Sequence, residues 1–372
     1  MYPSVTELFQ TGNDLGSILQ VVFSLVFFVY LFYAQRLQTT MMLKQVEGTL
    51  LKLKTVRDEG RRIVVKTIKE VGKSKDDPGP RVDQLLEEFV ITPVDLDPAG
   101  IVPKLEQILN LRENRFEDDI KAIAPEANEN EIHNLENLVE AEMTLHAIYK
   151  VIRHFYLLGK KTMNIYIILQ VQMVLPLIMM EVEAYTSAIQ AFVEGTPVGD
   201  GAGALIAAKL MRGHEWRLVA KDTIVSEVPL EGRSLLVMKA LGPGGGVGRL
   251  GEAVPSLIEE RGGKVSKIVM IDAAGKLEGE ESGSIAEGVG AAIGGLGVEK
   301  YRIEETAVKY NIPLYAIAIK EDIRDVVAPM KEALYSGADK AIEAVKRFVA
   351  QRTKEGETIL VIGVGNTIGI GQ

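Results

Sequence analysis

The residues with the sharpest chemical pattern are glycines. After the apolar run from Ser234 to Leu241 comes GPGGGVGRLGEAV, in which Gly246, Gly248 and Gly251 spell G-x-G-x-x-G ahead of a helical stretch. Glycine permits a tight turn and lets backbone N–H groups approach a pyrophosphate, while the following helix N-terminus adds positive potential. The next apolar run ends in Asp272, twenty-one residues after Gly251. That is where a dinucleotide-binding unit carries the acid for the ribose hydroxyls. The extra GPG before the motif departs from the usual junction of strand and glycine. No GK[ST] lies in this loop, which argues against a P-loop nucleotidase there.

A second loop, GVGNTIGIGQ, begins at Gly363 after the run from Thr358 to Ile362. With no helix after it, it is not a complete fingerprint. Gly363, Gly365, Asn366 and Thr367 are placed instead to supply backbone donors and side chains to a ligand held by the first loop. A third cluster, PVGDGAGAL at Pro197–Leu205, runs into a helix, with Asp200 as an ordinary N-cap. Glycines at strand ends also serve turns and close helix–sheet packing with no ligand, and both readings stay open here.

Other chemistry is less defined. The stretch Asp272–Gly288 holds Lys276, Glu278, Glu280, Glu281, Ser282 and Ser284. Carboxylates beside a phosphate could hold Mg²⁺, and Lys276 with a serine could form a nucleophilic pair. A polar exposed loop has the same composition. Glu142 and His146 lie one helical turn apart, with His154 two turns further. A metal would need further ligands, so the ordinary reading is a solvated or capped helix face. There is no cysteine and no G-x-S-x-G elbow, and His214 lies outside the glycine loops.

The elements that must position these residues change character along the chain. From 197 to 372, runs at Arg217–Ala220, Ser234–Leu241, Lys267–Ile271, Pro313–Ile319 and Thr358–Ile362 alternate with helical stretches at Gly251–Glu260, Ser284–Ile293, Lys300–Tyr310 and Ile323–Val349. Strands apolar throughout, alternating with helices, predict an α/β fold: a Rossmann-like, largely parallel sheet covered on both faces. Residues 81–196 read as a helical domain after a linker at 73–80 (KSKDDPGP), with Asp97 before Pro98 as an N-cap. Within it, Met163–Met180 is apolar but carries Gln170, Gln172 and Pro176. A buried or interfacial helix suits it better than a second membrane span.

Residues 15–34 carry no charge and are long enough to cross a bilayer as one helix. Arg36, Lys44, Lys52 and Lys54 follow it and no positive side chain precedes it. Residues 1–14 are therefore expected outside the cell membrane and the rest in the cytoplasm. From Arg36 to Lys75 there are eleven Lys/Arg against four Asp/Glu, although the 372-residue chain carries a net charge of −9. This basic segment, 35–72, suits anionic lipid headgroups. Its Leu43, Val46, Leu50 and Leu53 form a seam that either joins copies as a coiled coil or packs on its own chain; Arg57 and Gly60 weaken it. The acidic balance argues against a nucleic-acid partner, and 25% charged residues exclude a multi-spanning transporter.

The anchor, PVGDGAGAL, DAAGKLEGEESGSIAEGVGAAIGG and GVGNTIG together resemble an archaeal family catalogued as domain of unknown function 1512. The resemblance implies an archaeal membrane-associated protein and brings no activity with it. Two functions follow. One is a membrane-tethered, homo-oligomeric scaffold or regulator whose cytoplasmic domain holds a nucleotide or other phosphate ligand. The alternative is a membrane-anchored enzyme using a nucleotide cofactor, such as an NAD-dependent oxidoreductase. The first is preferred, because no acid, base and nucleophile stand in a recognisable constellation; the ligand's identity is unknown.

Overall fold

The computed structural model describes residues 14–94 and 100–372. The cap expected at Asp97 and the segment before Asp14 lie outside them. Contacts divide the chain into two compact units, each built from separate stretches.

The first unit takes Met1–Thr55 and Ala147–Ile178. Its first element belongs to α1, an unbroken helix Asp14–Gly72 of 59 residues. The early part of α1 is apolar on every side, and residues such as Phe23, Val26 and Tyr30 are exposed. The ends of α4 (Glu129–Thr162) and the start of α5 (Ile165–Glu194) form a helical hairpin. Gly159 lets the hairpin close, since a Cβ there would lie 2.8 Å from Ile168. Leu43, Val46 and Leu53 are buried in the same unit as Ile152, Tyr156, Ile168 and Val171. The seam is therefore covered within one copy of the chain. Gln172 Nε2 donates to Gln45 Oε1 at 2.6 Å. Among the described residues, α1 and α5 are the two helices long and apolar enough to cross a membrane.

The second unit, Val56–His146 and Met179–Gln372, holds the remaining helical segments and the sheet. Helices α2 (Gly79–Leu85) and α3 (Ile101–Ile123) precede α4. A capping box starts α4: Glu131 N–H donates to Asn128 Oδ1 at 3.1 Å, and Asn128 N–H donates to Glu131 Oε2 at 2.8 Å. Glu142 is fully buried, and its Oε2 occupies the space that a side chain at Gly60 would take. The solvated face expected for it is thus corrected. Burial pushes its carboxyl up to about 8.

The sheet has seven strands: β1 (Trp216–Ala220), β2 (Thr223–Leu230), β3 (Arg233–Ala240), β4 (Lys267–Gly275), β5 (Ile285–Val289), β6 (Leu314–Glu321) and β7 (Thr358–Gly363). Their order is β1-β2-β3-β7-β4-β6-β5. The central β3, β7, β4 and β6 run parallel, and the flanking pairings are antiparallel. Alternate residues of the central strands face opposite sides. Leu235, Val269 and Val361 pack with α6 (Ala202–Met211) and α9 (Glu332–Arg352). Leu236, Met270 and Leu360 pack with α7 (Leu250–Glu260) and α8 (Val298–Lys309). This is the expected α/β architecture with helices on both faces.

Two expected helices are corrected. Residues 285–289 form β5, pairing antiparallel with β6, and Gly290 at φ 107° follows its end. The helix expected from Ile323 begins at Glu332. Before it, the chain runs alongside the Pro197–Asp200 loop: Asp200 N–H donates to Val326 O and Met330 N–H to Pro197 O, each at 2.7 Å.

Candidate functional site at the carboxyl ends of the central strands

Ligands of open α/β sheets bind beyond the carboxyl ends of the parallel strands. Here those ends gather all three glycine clusters. Gly203 allows α6 to lie directly on the strands, since a Cβ there would strike the carbonyl oxygens of Ile271 and Val364. Val364 N–H donates to Ile271 O at 2.8 Å, joining β7's exit to β4. Gly365, at φ 119°, presses against the Asp200 carbonyl.

The first glycine loop, Leu241–Arg249, joins β3 to α7. Several of its backbone donors are engaged by the protein. Gly244 and Gly245 donate to the side-chain oxygens of Asn130 and Asn134 at 3.1 and 3.0 Å, and Arg249 donates to Thr223 Oγ1 at 2.7 Å. Gly246 donates to Gly244 O at 2.8 Å. Gly251, in the first turn of α7, donates to the Glu299 side chain, so an internal carboxyl occupies that helix N-terminus. Gly248, at φ 67°, lies against Thr223 and Asp222.

The second loop threads into the first. Thr367 is fully buried, its hydroxyl 2.8–3.0 Å from the carbonyl oxygens of Leu241, Gly244 and Gly246. Asn366 Nδ2 donates to Asn137 Oδ1 at 2.8 Å, while Asn137 Nδ2 donates to Gly245 O at 2.6 Å. Asn130, Asn134 and Asn137 thus form one helical stripe that holds both loops.

Strand order separates Asp272 from the first loop. A dinucleotide unit has its glycine-bearing strand beside the strand that carries the acid, but β7 lies between β3 and β4. Asp272 instead faces Asp200, Glu321 and, through Glu321, Asp325. Asp200 Oδ2 accepts the Asn366 N–H at 2.9 Å, and Asp272 Oδ1 accepts the Ala273 N–H at 2.8 Å. Glu321 is almost fully buried, its Oε2 has no hydrogen-bond partner, and it lies where a Cβ on Gly199 would be. Asp325 is paired with Lys331 at 2.6 Å.

These neighbours change one another's acidity. Burial, then the charge of Asp200, pushes the Asp272 carboxyl up to about 7. Burial, then Asp200, Asp325 and Asp272, pushes Glu321 up to about 8. Burial also raises Asp200. Among the described residues, no lysine or arginine counters Asp200, Asp272 or Glu321. Among the described residues, no three acids or histidines converge closely enough to hold a metal ion by themselves.

The remaining candidates are dispersed. Lys276 pairs with Asp322 at 3.6 Å, and Ser284 Oγ donates to Glu281 O at 2.7 Å, so they form no nucleophilic pair. His146 faces Glu87 at 2.9 Å. A cavity of about 430 Å³ lies beside the first loop, lined by Glu106, Glu113, Glu117, Glu136, Asp222 and Glu299 as well as Arg112 and Arg249. Burial pushes Glu117 up, but hydrogen bonds from Lys121 and Lys221 outweigh it and bring the carboxyl down to about 2.

Glu321, Asp325 and Lys239 were missed in the sequence. Lys239 is fully buried at the end of β3, donates to Ala240 O at 2.9 Å, and is lowered to about 8 by burial. A lysine inside the apolar run SLLVMKAL was its visible signal.

Family models match residues 20–195, as the N-terminal domain of the protein of unknown function DUF1512, and residues 198–371, as its C-terminal domain. The chain belongs to the DUF1512 family. A comparison with curated proteins finds no match. Within the DUF1512 C-terminal match, the acids Asp200, Asp272 and Glu321 come from separate segments that only the fold brings together.

Proposed function

We propose that this protein is a membrane-anchored regulator, its N-terminus outside and its α/β domain in the cytoplasm, that binds a phosphate ligand such as a nucleotide through a divalent cation. The exposed apolar part of α1 supports the anchor, and the one-sided basic flank supports the orientation. The single observation behind the ligand is the pair Asp200 and Asp272. They are neighbouring carboxyls at the strands' carboxyl ends, both raised by burial and Asp272 further by Asp200, with no basic side chain among the described residues to balance them.

A cation relieves that repulsion. Mg²⁺ is commonly held by one or two carboxylates and completes its octahedron with water and phosphate oxygens. This route does not need the glycine-loop donors, several of which are already bonded. A thermal-shift series on the full chain in detergent tests it. NAD, ATP and GTP are expected to raise the melting temperature only with Mg²⁺, and Asp272→Asn to remove the shift. A shift without Mg²⁺, or one unchanged by Asp272→Asn, would overturn it.

One observation favours the enzyme alternative. Asp272 and Glu321 are pushed up to about 7 and about 8, the range that suits a general acid. Turnover of a bound nucleotide, lost in Glu321→Gln while binding persists, would establish it; binding without turnover leaves the regulator.

A further inference from the structure

The hairpin of the first unit carries a surface that the unit itself does not cover. On α5, Ile168, Val171 and Leu175 are buried, while Tyr166, Met173 and Leu177 are 74%, 71% and 65% exposed. At 100° per residue these two sets fall on opposite sides of the helix, so α5 is apolar on both. Exposed Leu169 continues the outer stripe, and Val151 and Phe155 are exposed on α4. A soluble protein rarely leaves so continuous an apolar face in water.

Charge selects the partner. From Ala147 to Ile178 the chain has Lys150, Arg153, Lys160 and Lys161 and no Asp or Glu, although the whole carries −9. Apolar residues flanked by cations suit an anionic lipid surface. The same compact unit contains the exposed apolar part of α1, and Gln172 bonds to Gln45 ten residues or so beyond that part. The stripe from Tyr166 to Leu177 rises about 17 Å, roughly half of what a span requires.

We infer that the α4–α5 hairpin is a second membrane contact, lying in the headgroup region of an anionic bilayer with its outer face towards the acyl chains and without crossing. This rests on the reading of α1 as an anchor. It gives the protein a surface that responds to lipid composition, which a single spanning helix lacks.

The chain has no cysteine, so single cysteines can report depth in the full-length protein. Phe23→Cys, Met173→Cys, Leu177→Cys and, as a control in the second unit, Val308→Cys are each labelled with an environment-sensitive fluorophore. The proteins are placed in nanodiscs of phosphatidylcholine with or without phosphatidylglycerol, carrying shallow or deep spin-labelled lipid. The labels at 173 and 177 are expected to shift to the blue and to lose most of their emission to the shallow quencher. Phosphatidylglycerol is expected to strengthen the effect, and Lys160→Gln with Lys161→Gln to weaken it. The label at 23 is expected to respond to the deep quencher and the label at 308 to neither.

If 173 and 177 behave like 308 while 23 is quenched, the anchor stands and the hairpin contact fails. If 23 is not quenched either, the anchor reading itself fails. Shielding of 173 from an aqueous quencher without lipid quenching would assign the face to a second copy of the chain and overturn the proposal. Stronger quenching of 173 by the deep label would make α5 a span, and would also overturn it.

Discussion

The backbone N–H of Asn366 donates to Asp200 Oδ2 at 2.9 Å, joining two residues 166 positions apart in the chain. One hydrogen bond thereby ties the Pro197–Leu205 cluster to the loop after β7 and holds the Asp200 carboxylate near Asp272. A carboxylate held by a backbone donor but surrounded by other acids is poised for a cation. Asp200→Asn keeps the size and removes the charge. It is expected to leave the fold intact and to weaken Mg²⁺-dependent nucleotide binding about ten- to a hundred-fold, the loss of a charge-assisted interaction of about 1.5–3 kcal/mol. Titration calorimetry of both proteins checks this, and equal affinities would remove Asp200 from the site.

Gly248 tests what the first loop is for. Its φ is 67°, and a Cβ there would stand 2.7 Å from Thr223 Oγ1 and 2.8 Å from Asp222 O. Gly248→Ala is therefore expected to destabilise the α/β domain by about 1–3 kcal/mol. Nucleotide affinity, measured below the melting temperature, should be retained. Full stability with lost binding would instead return the phosphate to the G-x-G-x-x-G loop.

Much of the α/β fold was legible because the central residues of β3, β4 and β7 are buried and form short apolar runs. β2 was not, since Ser226, Glu227 and Pro229 interrupt it and its turn to β3 uses Glu231-Gly232 rather than Asn-Gly. β5 was read as a helix because SIAEGVGAAIGG is rich in alanine; only the partner strand β6 decides it. The glycine fingerprint matched in spacing, yet spacing along the chain cannot show that β7, formed by the last segment, inserts between β3 and β4. Glu321 escaped notice because the apolar run ends two residues before it. Asp272 was legible as a strand-end acid, and Asp200 only as a helix cap.

Buried acids make stability depend on pH in a direction opposite to that of ion-paired carboxylates. Glu142 and Glu321 are each raised to about 8 from 4.5, so between those values the folded chain holds protons that the unfolded chain has lost. Stability is full below about pH 4.5 for these groups and falls as pH rises through about 8. Melting temperature is expected to drop between pH 5.5 and 8.5. Glu142→Gln and Glu321→Gln should each flatten that slope and stabilise the protein at pH 8.5 by about 1–3 kcal/mol. A slope unchanged in both variants would mean the two groups are ionised in the folded protein.

The asparagine stripe offers a structural control. Asn137 bonds both Gly245 O and Asn366 Nδ2, so Asn137→Ala leaves a half-buried carbonyl and amide without partners. A loss of about 2 kcal/mol is expected in denaturant unfolding of the full chain. No loss would show that water replaces the asparagine and that the stripe is not needed to hold the loops.

The most direct measurement replaces Mg²⁺ with Mn²⁺ and follows its free signal by electron paramagnetic resonance in the full chain in nanodiscs. Two aspartates alone are expected to hold Mn²⁺ weakly. Adding ATP should tighten Mn²⁺ binding to the protein well beyond the affinity of ATP alone for the metal, and Asp200→Asn with Asp272→Asn should abolish the gain. If the doubly substituted protein retains the ternary complex, or if ATP only strips Mn²⁺ from the wild type, Asp200 and Asp272 do not form a cation-bridged phosphate site.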